Sequence, residues 1–360
     1  MRADFHLSYV EIGALMTIPG LVSAVIEPVL GILVDTTYRR AIFLAGGVAF
    51  AASVFLTAVS PVAVVLLLSW ILFYPASGSF MNVAQVCLMD RDPRRREQNM
   101  AQWSLAGSLG MSAGPLLLGA AVSVGAGWRG LYLLMGALSA LLVLPAWKTA
   151  IPHPGRRAAS RAGWPGFTAG LRAALKALRS GVVLRWLVLL ELSDLMLDVL
   201  FGYIALYFVD VAGVPVEQAA VAVVLWTVSG LLGDVIVIPL LERVPGLRYL
   251  RVSALAAGIL FPLFLLAGSF PLKVALLILL GLVKAGWYSV LKARLYGAMP
   301  GRGGAAMAVS NVAGLAGSLI PLALGAAAEA IGLRAAMWLL LAAPLGLLLG
   351  LPRERPAGNR

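Results

Sequence analysis

The sequence predicts an all-α polytopic membrane protein built from two pseudo-symmetric helical bundles, and three observations carry that prediction. The first is apolar mass: 61% of the 360 residues are hydrophobic and only 12% charged, with a mean hydropathy of +0.94. A soluble domain is about 45–50% apolar and about a quarter charged, so the surplus here needs lipid as its solvent. The second is a succession of apolar stretches, each close to the roughly 20 residues that cross a bilayer. The third is an internal repeat at an offset of about 207 residues. It pairs Glu27 with Asp234, Asp35 with Glu242, Pro93 with Pro300 and Arg95 with Arg302. It continues through Gly107 with Gly314 and Gly110 with Gly317 and, after short slips, Pro115–Gly119 with Pro321–Gly325 and Arg129 with Arg334.

Eleven spans result, at about 9–34, 41–59, 62–88, 101–124, 131–147, 186–209, 218–241, 250–268, 272–296, 305–328 and 335–351. The first ends where Asp35-Thr36-Thr37 breaks the apolar run, and Ser60-Pro61 separates the second from the third. A charged joint, Asp90 to Arg96, closes the third, and Gly125 to Gly130 divides the fourth from the fifth. Residues 148–185 are too polar to span; Pro152, Pro154 and Gly155 interrupt any helix there, and Phe167–Leu178 is amphipathic with Arg172, Lys176 and Arg179. Ala212 to Gln218, Glu242 to Arg251, Ser269 to Pro271 and Gly301-Arg302 punctuate the rest. The chain thus divides into two bundles, 1–147 and 186–360, joined by the linker 148–185. The repeat matches the span 186–209 to positions before Met1, so a twelfth span is expected upstream.

Alternate joints differ in charge. Of 28 Lys and Arg, Arg2, Arg129, Lys273 and Arg334 fall on one side and Lys284 inside a span, leaving 23 for the other. Loops rich in Lys and Arg face the cytoplasm, so the C-terminus is expected inside a cytoplasmic membrane. The net charge of +12 is then membrane topology and attraction to anionic lipid on the inner face, not a nucleic-acid surface. One cysteine, Cys87, and two distant histidines, His6 and His153, leave no disulfide and no zinc cage, so no metal or cofactor is expected. No catalytic constellation or phosphate-cradling loop points to an enzyme.

Gly31-Ile-Leu-Val-Asp35-Thr-Thr-Tyr-Arg39-Arg40 resembles the loop after the second helix of the major facilitator superfamily, with Thr36 and Tyr38 departing from its pattern. Gly110-Met-Ser-Ala-Gly114-Pro115-Leu-Leu-Leu-Gly119 is similar to the fifth-helix motif of the family's exporters, and Trp128-Arg129-Gly130 to its turn into the sixth. The resemblance implies that the chain carries family helices two to twelve. It implies two parallel repeats rocking about a central cavity, the arrangement that also suits the internal repeat. It also implies that Gly31, Asp35, Arg39 and Arg40 latch the halves together, and that a small organic molecule is exported, as a monomer, against an ion gradient. Small residues at Gly110, Gly114 and Gly119 should let helices approach closely, with Pro115 bending the span.

Charges inside spans mark the candidate site. Glu191, Asp194 and Asp198 follow i, i+3, i+7 spacing on one helical face. Three such charges facing lipid would cost roughly 7–10 kcal/mol, so they face water, a partner or each other. Lys284 lies at a depth matching Asp198, with Trp287 and Tyr288 beside it. Asp194 and Asp198 exchanging with Lys284 would couple transport to protons; a static ion pair is the alternative. Glu27 and Asp234 form a second, repeat-related pair of acids. Gly78, Asn82 and Gln85 share a face of the span 62–88, either lining the cavity or bonding between helices. A lipid flippase, a non-transporting receptor on the same scaffold, and an inactive chain lacking its first span are the competing readings.

Overall fold

The computed structural model describes residues 2–5, 9–148, 164–317 and 319–352. After one helical turn at Arg2–Phe5 come α1 (Tyr9–Val34), α2 (Arg39–Val59), α3 (Ala63–Arg91), α4 (Arg96–Ser123), α5 (Gly127–Lys148) and α6 (Trp164–Leu178). Next are α7 (Gly181–Asp194), a π-helical turn (Leu195–Val199), α8 (Leu200–Leu206), a second π turn (Tyr207–Val211), α9 (Val216–Arg243), α10 (Gly246–Leu266) and α11 (Phe270–Lys284). The chain closes with α12 (Trp287–Ala298), α13 (Gly303–Gly317), α14 (Ile320–Ile331), α15 (Leu333–Ala336), a 3-10 stretch (Met337–Leu341) and α16 (Ala342–Gly350).

The helices begin and end where backbone chemistry requires it. Pro215 and Pro245 stand at the N-caps of α9 and α10, and Pro271 and Pro321 lie in the first turns of α11 and α14. A proline there removes an N–H that would be unpaired in any case. Among the described residues, eight helices are long and apolar enough to cross a membrane: α1, α2, α3, α5, α9, α10, the run Phe270–Ala298 and the run Leu333–Gly350. The expected eleven is therefore not reached by length and hydropathy. The span 186–209 is divided by the π turn, and 305–328 is divided between α13 and α14.

The chain forms two compact units. The first comprises residues 1–93, 113–180 and 299–312; the second comprises 94–112, 181–298 and 313–360. Each unit thus takes in a piece of the other half of the chain, and the two exchanged pieces correspond in the internal repeat. Inside the first unit, Gly46 and Gly47 bring α2 against Ser79 and Phe80 of α3, and Phe43 stacks on Phe80 at 4.8 Å. A face of α6 holding Gly170, Ala174 and Ala177 is turned inward, with Gly170 against Ile32 of α1, while Arg172, Lys176 and Arg179 are exposed. The linker residues before α6, including Pro152, His153, Pro154 and Gly155, lie outside the described residues, as does His6.

The second unit has an aromatic core of Tyr207, Phe208, Phe261, Phe264 and Phe270. Large apolar side chains cover the outside of both units, among them Val25, Leu116, Val252 and Leu349. Apolar surface on that scale needs a nonaqueous surround.

The glycine motif departs from expectation. A methyl group placed on Gly107, Gly110 or Gly114 would meet nothing within 4 Å. The close approaches are elsewhere: Gly31 against Gly304 and Ala308 in the first unit, and Gly233 against Ala285 and Leu282 in the second. Small residues permit contact, but which face meets a neighbour is decided by the fold. Pro115 and Gly119 belong to α4 but lie outside the side chains described.

Candidate functional site

In the second unit, Glu191 and Asp194 occupy the last turn of α7, and both are half-buried. A regular helix would carry Asp198 forward on the same face. The π turn at Leu195–Val199 intervenes instead, with the Leu200 N–H donating to the Leu195 carbonyl. One extra residue in the turn rotates every downstream side chain about the helix axis, and such turns gather at functional sites. Asp198 ends up exposed, and its charge still bears on Asp194. Glu191 lies directly over Gly317 of α13, where any side chain would collide with its carboxylate.

The cation facing this acidic turn is one that the sequence pattern does not single out. Lys292 of α12 is buried, and its charge acts on both Glu191 and Asp194. It falls near the end of its span, where a basic residue reads as a membrane-boundary charge. Lys284 is placed differently from expectation. No ion pair joins it to Asp198; its Nζ lies 4.2 Å from the centre of the Trp226 ring, a cation–π contact, within electrostatic reach of both Asp198 and Asp234.

Trp287 does not flank Lys284 either. The expected single helix breaks at Ala285-Gly286, because Gly286 adopts φ +75°, a left-handed conformation that suits glycine. The break turns Trp287 into the core, where its Nε1 donates to Ser253 Oγ at 2.9 Å. Tyr288 lies near a different basic residue from the one expected, its ring 5.6 Å from Lys292 Nζ.

The second-tier acids are both tied to neighbouring helices within their own units. Asp234 accepts from Ser108 Oγ at 2.6 Å. Glu27 accepts from Ser23 Oγ at 2.6 Å and from Asn311 Nδ2 at 2.8 Å, with Gly78 leaving the space its carboxylate fills. Asn82 is half-buried, whereas Gln85 is buried.

Asp35 carries the best-defined geometry in the first unit. Its two carboxylate oxygens accept from the backbone N–H groups of Gly304 at 2.7 Å and Ala305 at 2.9 Å, the first turn of α13. A carboxylate at that position satisfies two otherwise unpaired donors and opposes the positive end of the helix. The approach is possible because Gly304 has no side chain: a methyl group there would run into the Gly31 carbonyl. Arg39 is buried beside it, with Nη1 2.9 Å from Asp90, Nη2 3.7 Å from Asp35, and Nε donating to the Val34 carbonyl. Arg40 is not part of this cluster; it donates to the Trp147 carbonyl at 2.7 Å.

Burial raises the Asp35 carboxyl to about 6, against the opposing pull of the Gly304 and Ala305 N–H groups and Arg39. A raised acid binds its proton more tightly in the capped arrangement than when solvated. Protonation therefore favours the capped form below about pH 4, and that contribution disappears as pH rises through about 6. Taking the ordinary value of 3.8 for the solvated carboxyl, the capped population should gain about tenfold between pH 7.5 and pH 5. Amide exchange at Gly304 and Ala305, corrected for intrinsic rates, should slow accordingly. An uncapping equilibrium independent of pH would contradict this.

The repeat-related corner of the second unit uses different chemistry. Arg95 pairs with Glu242 at 2.5 Å, both about half exposed. Gln98 Nε2 donates to the Leu241 carbonyl at 2.8 Å. Glu97 accepts from the Gly246 N–H at 3.1 Å, capping α10, and from Arg294 at 2.7 Å.

Residues 1–320 match the family model described as Major Facilitator Superfamily. No curated protein matches the sequence directly. The fold resembles the E. coli fucose:proton symporter, with a TM-score of 0.78 at 16% identity, covering 97% of this chain and 92% of that one. It is also similar to a structure of the Major Facilitator Superfamily transporter FucP, the same symporter, in the outward conformation, with a TM-score of 0.79 at 17% identity, covering 97% and 91%. A third likeness is to the human organic anion transporter MFSD10, with a TM-score of 0.68 at 18% identity, covering 94% and 83%.

Proposed function

The chain belongs to the Major Facilitator Superfamily, and from that premise we propose that it is a secondary active transporter of a small organic molecule, driven by protons through alternating access in the cytoplasmic membrane. The observation that carries the proton reading is the charge arrangement around the π turn. Two carboxylates, Glu191 and Asp194, stand within reach of the buried Lys292, and a third, Asp198, follows on the π turn. A proton arriving on Glu191 or Asp194 weakens their attraction to Lys292, and substrate or proton release restores it. Such an exchange lets one charge be present in one access state and absent in the other. Asp198, exposed and one π turn away, is the group that meets water first.

The Asp35 cap on α13 and the Glu97 cap on α10 are read as closed latches that must release once per cycle. The two bundles 1–147 and 186–360, across eleven spans of the chain, are the moving parts in this proposal. Export as the direction rests on the resemblance of residues 110–119 alone. The exposed Arg172, Lys176 and Arg179 of α6 suit anionic headgroups on the inner face.

The test is a substrate screen in proteoliposomes with an internal pH dye. The wild type should move protons only when its substrate moves. Glu191→Gln, Asp194→Asn and Asp198→Asn are then compared, and at least one should carry substrate down its gradient without protons. Undiminished proton movement in all three would end the coupling proposal. Translocation of labelled lipid in place of a soluble compound would favour a flippase on the same scaffold.

A further inference from the structure

The internal repeat allows one arginine to be compared with its counterpart. In the first unit Arg129 closes the end of α2, donating from Nη1 to the carbonyls of Ala58 and Ser60, both at 2.8 Å. Its guanidinium is stacked 4.4 Å from the Trp128 ring, and its role is structural. The matching residue in the second unit is Arg334, and the matching helix end is that of α10, where Leu265 corresponds to Ala58.

There the same work is done by another residue. Lys273, buried at 6% exposure, donates from Nζ to the carbonyls of Phe264 at 2.9 Å and Leu265 at 3.3 Å, and to Tyr207 Oη at 2.8 Å. The repeat places Leu66 opposite Lys273, so the lysine has no counterpart in the first half. Its presence releases Arg334, which among the described residues keeps one long contact, 3.4 Å from Nη2 to the Val211 carbonyl.

The released guanidinium borders a cavity of about 450 Å³ lined by Tyr207, Val214, Phe270, Lys273, Arg334 and Trp338 among others. No aspartate or glutamate is among its described lining residues. The N-terminus of α11 also opens there at Phe270 and adds its positive end to the two side chains. The cavity lies at the end of the unit that carries the uncharged joints, away from the basic loops.

We infer that this cavity is an oxyanion site, in which Arg334 grips a phosphate or carboxylate group and Lys273 supplies fixed positive charge. A planar guanidinium with open donors binds such groups two-pronged. A volume of this size holds a phosphate together with a small organic body. The same chemistry is offered by a free small anion and by the phosphodiester of an anionic lipid headgroup, and the test separates them. The inference does not depend on the transport reading, because it is measured as binding.

Purified full-length protein is placed in phosphatidylcholine nanodiscs and its melting followed while inorganic phosphate replaces chloride at constant ionic strength. A parallel series without phosphate raises the phosphatidylglycerol content of the disc. The wild type should be stabilised in at least one series. Arg334→Gln, at an exposed position, should match the wild type without ligand and require about tenfold more ligand, or fail to respond. Arg334→Lys should fall between them. A response in the phosphate series identifies a soluble anion as ligand, and one confined to phosphatidylglycerol identifies lipid. No stabilisation in either series, or an equal response in Arg334→Gln, overturns the assignment.

Discussion

Asp35→Asn should cut transport to below about a tenth of the wild-type rate while leaving the protein folded in the membrane. The carboxylate accepts from two backbone donors, Gly304 and Ala305, in a buried setting. An asparagine oxygen can serve one of them, but its NH2 group then faces the other donor. Losing one charge-assisted hydrogen bond and leaving an N–H unmatched costs about 2–4 kcal/mol. At 1.4 kcal/mol per factor of ten, the capped form falls by about 30- to 700-fold relative to the uncapped one. A cycle that must visit both forms then stalls in one. The matching measurement is amide exchange at residues 304 and 305, which should accelerate by a similar factor. Gly304→Ala should reproduce the defect without touching any charge, because the added methyl group meets the Gly31 carbonyl. Normal transport by both variants would remove the cap from the mechanism.

Lys292→Met should have the second large effect, on stability and proton coupling together. The lysine is 7% exposed and is the cation acting on both Glu191 and Asp194. Removing the buried lysine leaves two half-buried carboxylates without their cation, a loss smaller than the ~3–5 kcal/mol of a fully buried pair. The variant should melt well below the wild type, and substrate movement should lose its dependence on the proton gradient. The triple variant Lys292→Met with Glu191→Gln and Asp194→Asn should regain most of the melting temperature, since both uncompensated carboxylates are gone, but not the coupling. If the single variant melts and couples like the wild type, the lysine has no part in the acidic cluster. Lys284→Met should be milder in coupling, because that residue rests on Trp226 and forms no ion pair with Asp198.

The features legible in the residues are those that physics makes unavoidable. A helix must carry about 20 apolar residues to cross lipid, and α2, α3, α9 and α10 declare themselves in that way. The repeat is visible because each half places an acid and arginines at equivalent joints. The acidic face is visible because carboxylates in an apolar run are costly wherever they point. The breaks are harder. Nothing in Leu195–Val199 distinguishes a π turn from an α turn, since a backbone can insert one residue without a special side chain. Gly286 does leave a mark, a glycine in mid-span, but glycine is also common in unbroken membrane helices. Distant partners are the least legible. Asp35 stands out beside Arg39 and Arg40, yet its donors lie 269 and 270 residues away, and one of them is a glycine whose importance is the side chain it lacks.

The unequal chemistry of the two repeat-related corners makes them sensitive to different surroundings. The Asp35 cap is buried, so dissolved ions barely weaken it. The Arg95–Glu242 pair has about half of each side chain in solvent, where salt at physiological strength shortens the reach of charge to about 8 Å. Raising osmolarity with potassium salts would thus loosen one corner and spare the other, whereas an uncharged osmolyte would touch neither. In the proposed cycle, matching corners would feel salt together, whereas here salt would act on the Arg95–Glu242 corner and spare the Asp35 cap.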